Sequence, residues 1–106
     1  MHIVIFITVP NKKEANKIAK HLIENRLAAC VNIIDKIESV FRWEGKVQRA
    51  GELLLVIKSK KLKLTSIIKL VKSIHSYEVP EIIAIPLIAG YKPYLDWLDE
   101  SVGKSR

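Results

Sequence analysis

Cross-linking and chain-breaking residues are scarce in this chain of 106 residues, which has one cysteine, four glycines and four prolines. A single thiol makes no internal disulfide and no cysteine-based zinc cage within one chain. With 49% apolar and 27% charged residues, the composition excludes low-complexity and disordered classes. No apolar run approaches the roughly 20 residues of a membrane helix, and the apolar opening has neither a basic n-region nor a small-residue cleavage site. A cytoplasmic address with no membrane partner is the expectation. P-loop, dinucleotide, nucleophile-elbow and zinc-protease patterns are missing, and Glu52, Glu78, Glu81 and Asp96 form no acid/base pair at local spacing. An enzyme is not expected.

Acidic residues are also in deficit, 11 against 18 Lys and Arg, for a formal net charge of +7. Such an excess invites polyanions. Many of the lysines (Lys12, Lys13, Lys17, Lys20, Lys60, Lys61, Lys63, Lys69, Lys72) nevertheless fall between apolar helix positions, where a solvated helix face puts its charge.

The length suits one domain, residues 1–106, able to bury roughly two thirds of its unfolded surface. Residues 3–9 are continuously apolar and β-branched, which predicts a central strand covered on both faces. Ala15, Ile18, Ala19, Leu22 and Ile23 then form the stripe of a helix packed on a sheet, with Asn11 as N-cap and Glu14 placed as capping-box partner. A long β segment is expected from Leu27, with Ile37, Ser39, Phe41 and Trp43 on one face and Glu38, Val40 and Arg42 on the other. Glu44-Gly45 turns the chain, and the return strand ends in the apolar run 53–57. Leu64, Ile67, Ile68, Val71 and Ile74 mark a second helix. The strand 81–88 contains Pro86, so it belongs at a sheet edge. Tyr94, Leu95, Leu98 and Val102 mark a third helix.

The resulting β-α-β-β-α-β order plus a terminal helix is that of an α+β, ferredoxin-like sandwich with strand order 4-1-3-2. The long strand carrying Phe41 and Trp43 would be an exposed pairing template in a lone monomer. Pairing with another copy through that hairpin, or covering by the terminal helix, would protect it.

Six segments in order, Thr8-Val9-Pro10, Arg26-Leu27-Ala28-Ala29-Cys30-Val31-Asn32, Trp43-Glu44-Gly45-Lys46, residues 52–59, Tyr77-Glu78-Val79-Pro80-Glu81-Ile82 and residues 90–97, resemble the CutA divalent-cation-tolerance family. The resemblance implies a ferredoxin-like subunit in a homotrimer whose long hairpins pair between subunits. It also implies links to tolerance of copper and other divalent ions, and a trimer shaped like PII signal-transduction proteins. No settled catalytic activity comes with it. Two departures stand out. The family usually has proline after the histidine aligned with His75, whereas Ser76 follows here, so His75 escapes the pre-proline restriction and one source of loop rigidity is gone. A second histidine and an extra cysteine found in some members are replaced by Ile74 and apolar residues, which weakens any metal site built on them.

Candidate metal ligands follow from donor chemistry. His75 offers an imidazole suited to Cu(II), with oxygen from Glu78 or Glu81, and Cys30 is a soft ligand suited to Cu(I). The bland alternatives are a helix-capping His75 and a buried, space-filling Cys30. In the expected strand order Cys30 and the strand after His75 lie on opposite edges, about 14 Å apart, so they share an ion only near strand ends or across a subunit boundary. Phe41 and Trp43 are read as interface anchors. The PII likeness suggests an effector cleft using Lys46, Lys58 and Tyr77. The expected function is thus a trimeric protein that reversibly binds copper or another divalent cation. The alternatives are a basic nucleic-acid-binding module, which lacks the aromatic RNP pattern, and a purely structural trimeric scaffold.

Overall fold

A computed structural model describes residues 1–103, so the last three residues of the expected domain 1–106 lie outside the described residues. The elements are β1 (His2–Val9), α1 (Lys12–Glu24), β2 (Cys30–Trp43), β3 (Lys46–Lys60), a short 3-10 turn (Lys61–Lys63), α2 (Leu64–Ile74), β4 (Ile82–Pro86) and α3 (Lys92–Ser101). The four strands form one antiparallel sheet in the order β2-β3-β1-β4, as the element pattern predicts. Pro86 ends the edge strand β4, where a missing N–H removes no ladder bond from a neighbour.

Alternation along the strands assigns the two faces. Ile3, Ile5, Ile7 and Val9 of β1 and Leu53, Leu55 and Ile57 of β3 point to the helices and are buried against Ala15, Ile18 and Leu22 of α1 and Ile67 and Val71 of α2. The opposite face carries Val4 and Phe6 of β1, Leu54 and Val56 of β3, Ile34 of β2, and Ile83 and Ile85 of β4. Its central positions are only half-buried, and Ile34, Ile83 and Ile85 stay 45–52% exposed. The continuous apolar runs predict cover on both faces, yet one chain supplies it on one. α3 covers only an end of this second face. There His2 Nε2–H donates to Asp99 Oδ1 at 2.8 Å, and Lys60 Nζ stands 3.5 Å from the same oxygen.

Two local expectations are corrected. Asn11 does cap α1, its Oδ1 accepting from the Glu14 N–H at 2.8 Å, but the Glu14 carboxylate does not return to the cap. It crosses to the segment after α2, for the reason given below. The second strand begins at Cys30 rather than Leu27, because Arg26 takes a left-handed turn (φ 56°) and residues 27–29 bond to the end of α1 and to Lys58 instead of continuing a regular ladder.

β2 and β3 outrun the sheet. β1 pairs with β3 only from Leu53 onward, while the β2–β3 ladder continues from the Ile37/Glu52 pair to Trp43/Lys46. A register shift between Ile34 and Ile37, with Lys36 at φ 61°, separates the sheet part from this arm. Seven pairs at about 3.3 Å per residue make a projection of roughly 20 Å. Glu44 (φ 51°) and Gly45 (φ 80°) close it with the two-residue, left-handed turn that matches strand twist. Nearly every residue of the arm is exposed, including Val40, Phe41, Trp43 and Val47 at 42–65%.

Candidate functional site: a cleft at the hairpin base

The loop from His75 to Glu81 lies against the base of the arm, and its position is set by buried polar contacts. α2 ends when His75 leaves helical geometry (φ −78°, ψ 139°). The ring then turns inward, with a side chain that is fully buried. The Thr8 carbonyl only accepts, so the imidazole Nε2–H donates to it at 2.8 Å. Nδ1 therefore presents its lone pair, which takes the Tyr77 N–H at 3.0 Å. The Glu14 carboxylate approaches Nδ1 to 3.2 Å and accepts the Ser76 N–H at 2.9 Å. Glu14 thus leaves the capping box for the Ser76 N–H, an orphan amide just past the end of α2. A proline at position 76 would have no N–H for that bond. Here the loop is held by Glu14 and His75 instead.

Tyr77 leans on the His75 ring, centroids 4.8 Å apart, and its hydroxyl donates to Glu52 Oε2 at 2.7 Å. Burial first, then the Glu52 bond and the charges of Glu52 and Glu14, push the phenol far above its ordinary value. It stays a donor. Glu52 is a single carboxylate placed just before a run of buried aliphatic residues and is only 7% exposed. It shares the second sheet face with Leu54 and Val56, and across the ladder with Ile37.

Above these groups opens a cleft of about 1010 Å³ between arm and loop, with Phe41, Trp43, Glu52, Tyr77, Glu78 and Glu81 among its lining residues. It lies on the side of the sheet that the chain leaves open. Phe41 and Trp43 thus combine exposure with a position beside this cleft.

The sequence-derived metal set is dispersed. Glu78 and Glu81 are exposed on the loop, whereas both nitrogens of His75 are committed to the fold. Cys30 is half-buried and opposite Lys58, which pairs with Val4, four residues along β1 from Thr8. That offset is about 13 Å in addition to the strand spacing. Its Sγ lies 3.9 Å from Asn32 Oδ1, to which the Lys58 ammonium also donates. Among the described residues no three His, Cys, Asp or Glu side chains gather as a metal cage. One chain's donors therefore do not fit a copper centre.

The suggested effector trio is likewise separated. Only Tyr77 lines the cleft. Lys58 and Lys46 each lie six residues along β3 from Glu52, in opposite directions, or about 20 Å. Two participants escaped sequence reading. Glu14 looked like a cap, and nothing local announces its reach across 62 positions. Glu52 had a visible signal, since strand alternation puts this lone carboxylate on the same face as Leu54 and Val56.

Comparison with known proteins agrees with this architecture. The family model described as "CutA1 divalent ion tolerance protein" matches residues 3–101. A structure of the divalent cation tolerance protein (Cut A1) from Thermus thermophilus superposes with a TM-score of 0.95 at 47% identity, covering 97% of this chain and 100% of that one. The CutA structure from Archaeoglobus fulgidus, described as periplasmic, gives 0.94 at 48% identity over 97% and 100%. The rice chloroplastic protein CutA 1 is 48% identical over 103 residues, 97% of this chain but 58% of the relative. This chain thus spans a little over half of the plant proteins, the Arabidopsis one included at 54%, and the whole of the Thermus protein. The compartments in these names differ. Among the described residues no helix is long and apolar enough to cross a membrane. Matched over nearly its whole length, and nearly half identical to several members, the chain belongs to the CutA1 divalent ion tolerance family.

Proposed function

We propose that this chain works as a homotrimer of PII-like shape, in which the arm of each subunit pairs with a neighbour, and that divalent-cation binding belongs to the assembly rather than to one chain. The supporting observation is the uncovered sheet face. Val4, Phe6, Leu54, Val56, Ile83 and Ile85 make a contiguous apolar surface on a sheet whose sequence is written for two-sided burial. Such faces are the mark of an association surface. The arm adds unpaired strand edges with Phe41 and Trp43 as anchors.

In this reading the cation takes oxygen from Glu78 and Glu81 of one subunit and further donors from a neighbour, with copper the ion the family resemblance implied. His75 positions the loop. Cys30 meets such a site only across a subunit boundary. Sedimentation velocity should give one species of three subunits, and a stable monomer would end the proposal. Calorimetric titration with Cu(II) should lose affinity in Glu78→Gln/Glu81→Gln more than in His75→Gln. Equal heats in all three proteins would remove the loop from the site. The nucleic-acid alternative gains nothing from this cleft, whose charged lining residues are Glu52, Glu78 and Glu81 against Arg49.

A further inference from the structure

We infer that the outer surface of α1 and α2 binds the phosphate backbone of duplex nucleic acid through two rows of lysines, without reading its sequence. This surface lies on the opposite side of the sheet from the face proposed to join subunits. Joining subunits through that face leaves it in solvent, and nothing here rests on that reading.

The net charge of the chain sits almost wholly in this layer. α1 carries Lys12, Lys13, Lys17 and Lys20, and α2 with its leading 3-10 turn carries Lys61, Lys63, Lys69 and Lys72. The same segments hold only two acids, Glu14 and Glu24, so eight less two supplies six of the formal net charge of +7. Glu14 is turned inward to Ser76 and His75, and Glu24 stands 4.0 Å from Lys20. Among the described residues the other seven lysines have no carboxylate at ion-pair distance. All of the eight but Lys63 are exposed. A solvated helix face ordinarily mixes signs, with acid toward its start and base toward its end. Here Lys12 and Lys13 open α1, and Lys61 and Lys63 precede α2, whose first turn has no acidic residue. The helix dipole opposes a cation at those ends. Lysines kept against local stability point to a counter-charge outside the chain.

The two rows share one surface. α1 and α2 run antiparallel, since Lys13 and Lys17 border a shallow groove with Ile74 at the far end of α2 and Glu14 reaches Ser76. Buried Ala15, Ile18 and Leu22 fix the inner side of α1, and Ile67 and Val71 that of α2. Lys13, Lys17 and Lys20 thus follow the outer spacing of one helix, and Lys69 and Lys72 that of the other. At about 1.5 Å rise per residue and about 8–10 Å between axes, the lysines span a field of roughly 10 by 14 Å. Duplex DNA carries one phosphate per about 1.7 Å of axis, so such a field meets several at once.

Residue type narrows the partner. Neither segment contains Arg, Phe, Tyr or Trp. Ammonium groups neutralise phosphates as point charges, while no guanidinium is present to read guanine and no ring to stack on an unpaired base. The RNP pattern missing from the strands is therefore irrelevant to this surface. A bilayer fits less well. The apolar sides of both helices are committed to the core, and Ile23, Leu62 and Ile68 are the only large apolar side chains exposed on these segments, too few for an inserting strip.

Fluorescence anisotropy of the full chain with a labelled duplex of about 30 base pairs, in two unrelated sequences, is the test, with oligomeric state measured on the same sample. Both duplexes should bind saturably and equally, with Kd on the order of micromolar at about 50 mM salt. Affinity should fall about a hundredfold by about 200 mM salt, a log–log slope of about −3 to −4. Lys13→Gln/Lys17→Gln/Lys69→Gln/Lys72→Gln should weaken binding at least about tenfold and flatten the slope, whereas arginine at the same four positions should preserve both. No binding by the wild-type protein at low salt overturns the inference, and so does a slope near zero or a preference for one sequence. Tighter binding of a single strand of equal length also overturns it, as does capture by phosphatidylserine vesicles in salt that releases the duplex. These wild-type comparisons decide even if the glutamine variant fails to fold; a folded glutamine variant that binds like wild type overturns the inference as well. A trimer that binds no duplex sinks this inference and spares the assembly; a monomer that binds it does the reverse.

Discussion

At the scale of single residues, the loop is organised by groups whose hydrogen-bonding options are few. Tyr77 can donate to Glu52 only while it keeps its proton, and a phenol with a raised folded-state pKa stabilises the fold below its unfolded value near 10. That contribution is whole at neutral pH and is lost as pH rises above about 10. Tyrosinate absorbance should therefore show a late phase far into the alkaline range, removed by Tyr77→Phe. If the variant titrates like the wild type, the bond to Glu52 is wrong. Ser76 offers a second test. His75 already has extended backbone compatible with a following proline, so Ser76→Pro would gain roughly 0.4–1 kcal/mol of chain entropy. It would also strip the N–H from Glu14, a charge-assisted bond worth about 1.5 kcal/mol or more. The bond wins, and chemical denaturation should find the variant less stable, by about 0.5 kcal/mol or more. A more stable Ser76→Pro protein would show that the Glu14 contact contributes nothing.

At the scale of elements, the arm and the terminal helix depend on different forces. The arm's turn has two consecutive residues at positive φ, a conformation that suits glycine and costs other residues about 1–2 kcal/mol each. No atom crowds the space where a side chain on Gly45 would go, so Gly45→Ala should destabilise by about 1 kcal/mol through backbone strain alone. Asparagine tolerates that region better than glutamate, and Glu44→Asn should recover part of the loss in the double variant. α3, by contrast, is tied to the sheet through Asp99. The His2 bond, helped by Lys60 and opposed by some desolvation, holds the Asp99 carboxyl below its usual range. A depressed carboxylate stabilises above its unfolded value near 4 and loses that effect as pH falls through the lower folded value. Amide protection in α3, taken relative to intrinsic exchange at each pH, should fall on acidification below about pH 4, and Asp99→Asn should show the lower protection already at neutral pH. Identical exchange in both proteins at neutral pH would leave α3 held only by Leu98 and Val102, which are buried, and by the Arg26 bond to the Glu100 carbonyl at 2.6 Å.

At the scale of the whole molecule, the open sheet face is the surface on which the proposed trimer depends. Ile83 is 52% exposed in one subunit and sits on the edge strand beside Phe6. In a trimer it would be buried, so Ile83→Glu should convert sedimenting trimers to monomers or aggregates while the isolated subunit keeps its circular dichroism. A substitution on the helix side of the sheet, such as Ile57→Ala, should instead cost about 2–5 kcal/mol of subunit stability. If the wild-type protein sediments as a trimer and Ile83→Glu leaves its mass unchanged, the proposed trimer is joined through another surface. Trp43→Ala probes the arm in the same way and should weaken assembly without unfolding the sheet.

Much of this architecture is dictated by local pattern. Apolar stripes in α1 and α2, doubly apolar runs for β1 and β3, the Glu44-Gly45 turn and an edge position for Pro86 are each consequences of side-chain period and backbone chemistry within a few residues. The strand order follows from these with little freedom left. The site is different because its contacts cross the chain: Glu14 to Ser76, Thr8 to His75, Glu52 to Tyr77. Periodicity can put Glu52 on a sheet face, but only tertiary packing decides which loop comes to rest above it. The same holds for His75, whose residue type suits a metal and whose buried hydrogen bonds give it to the fold.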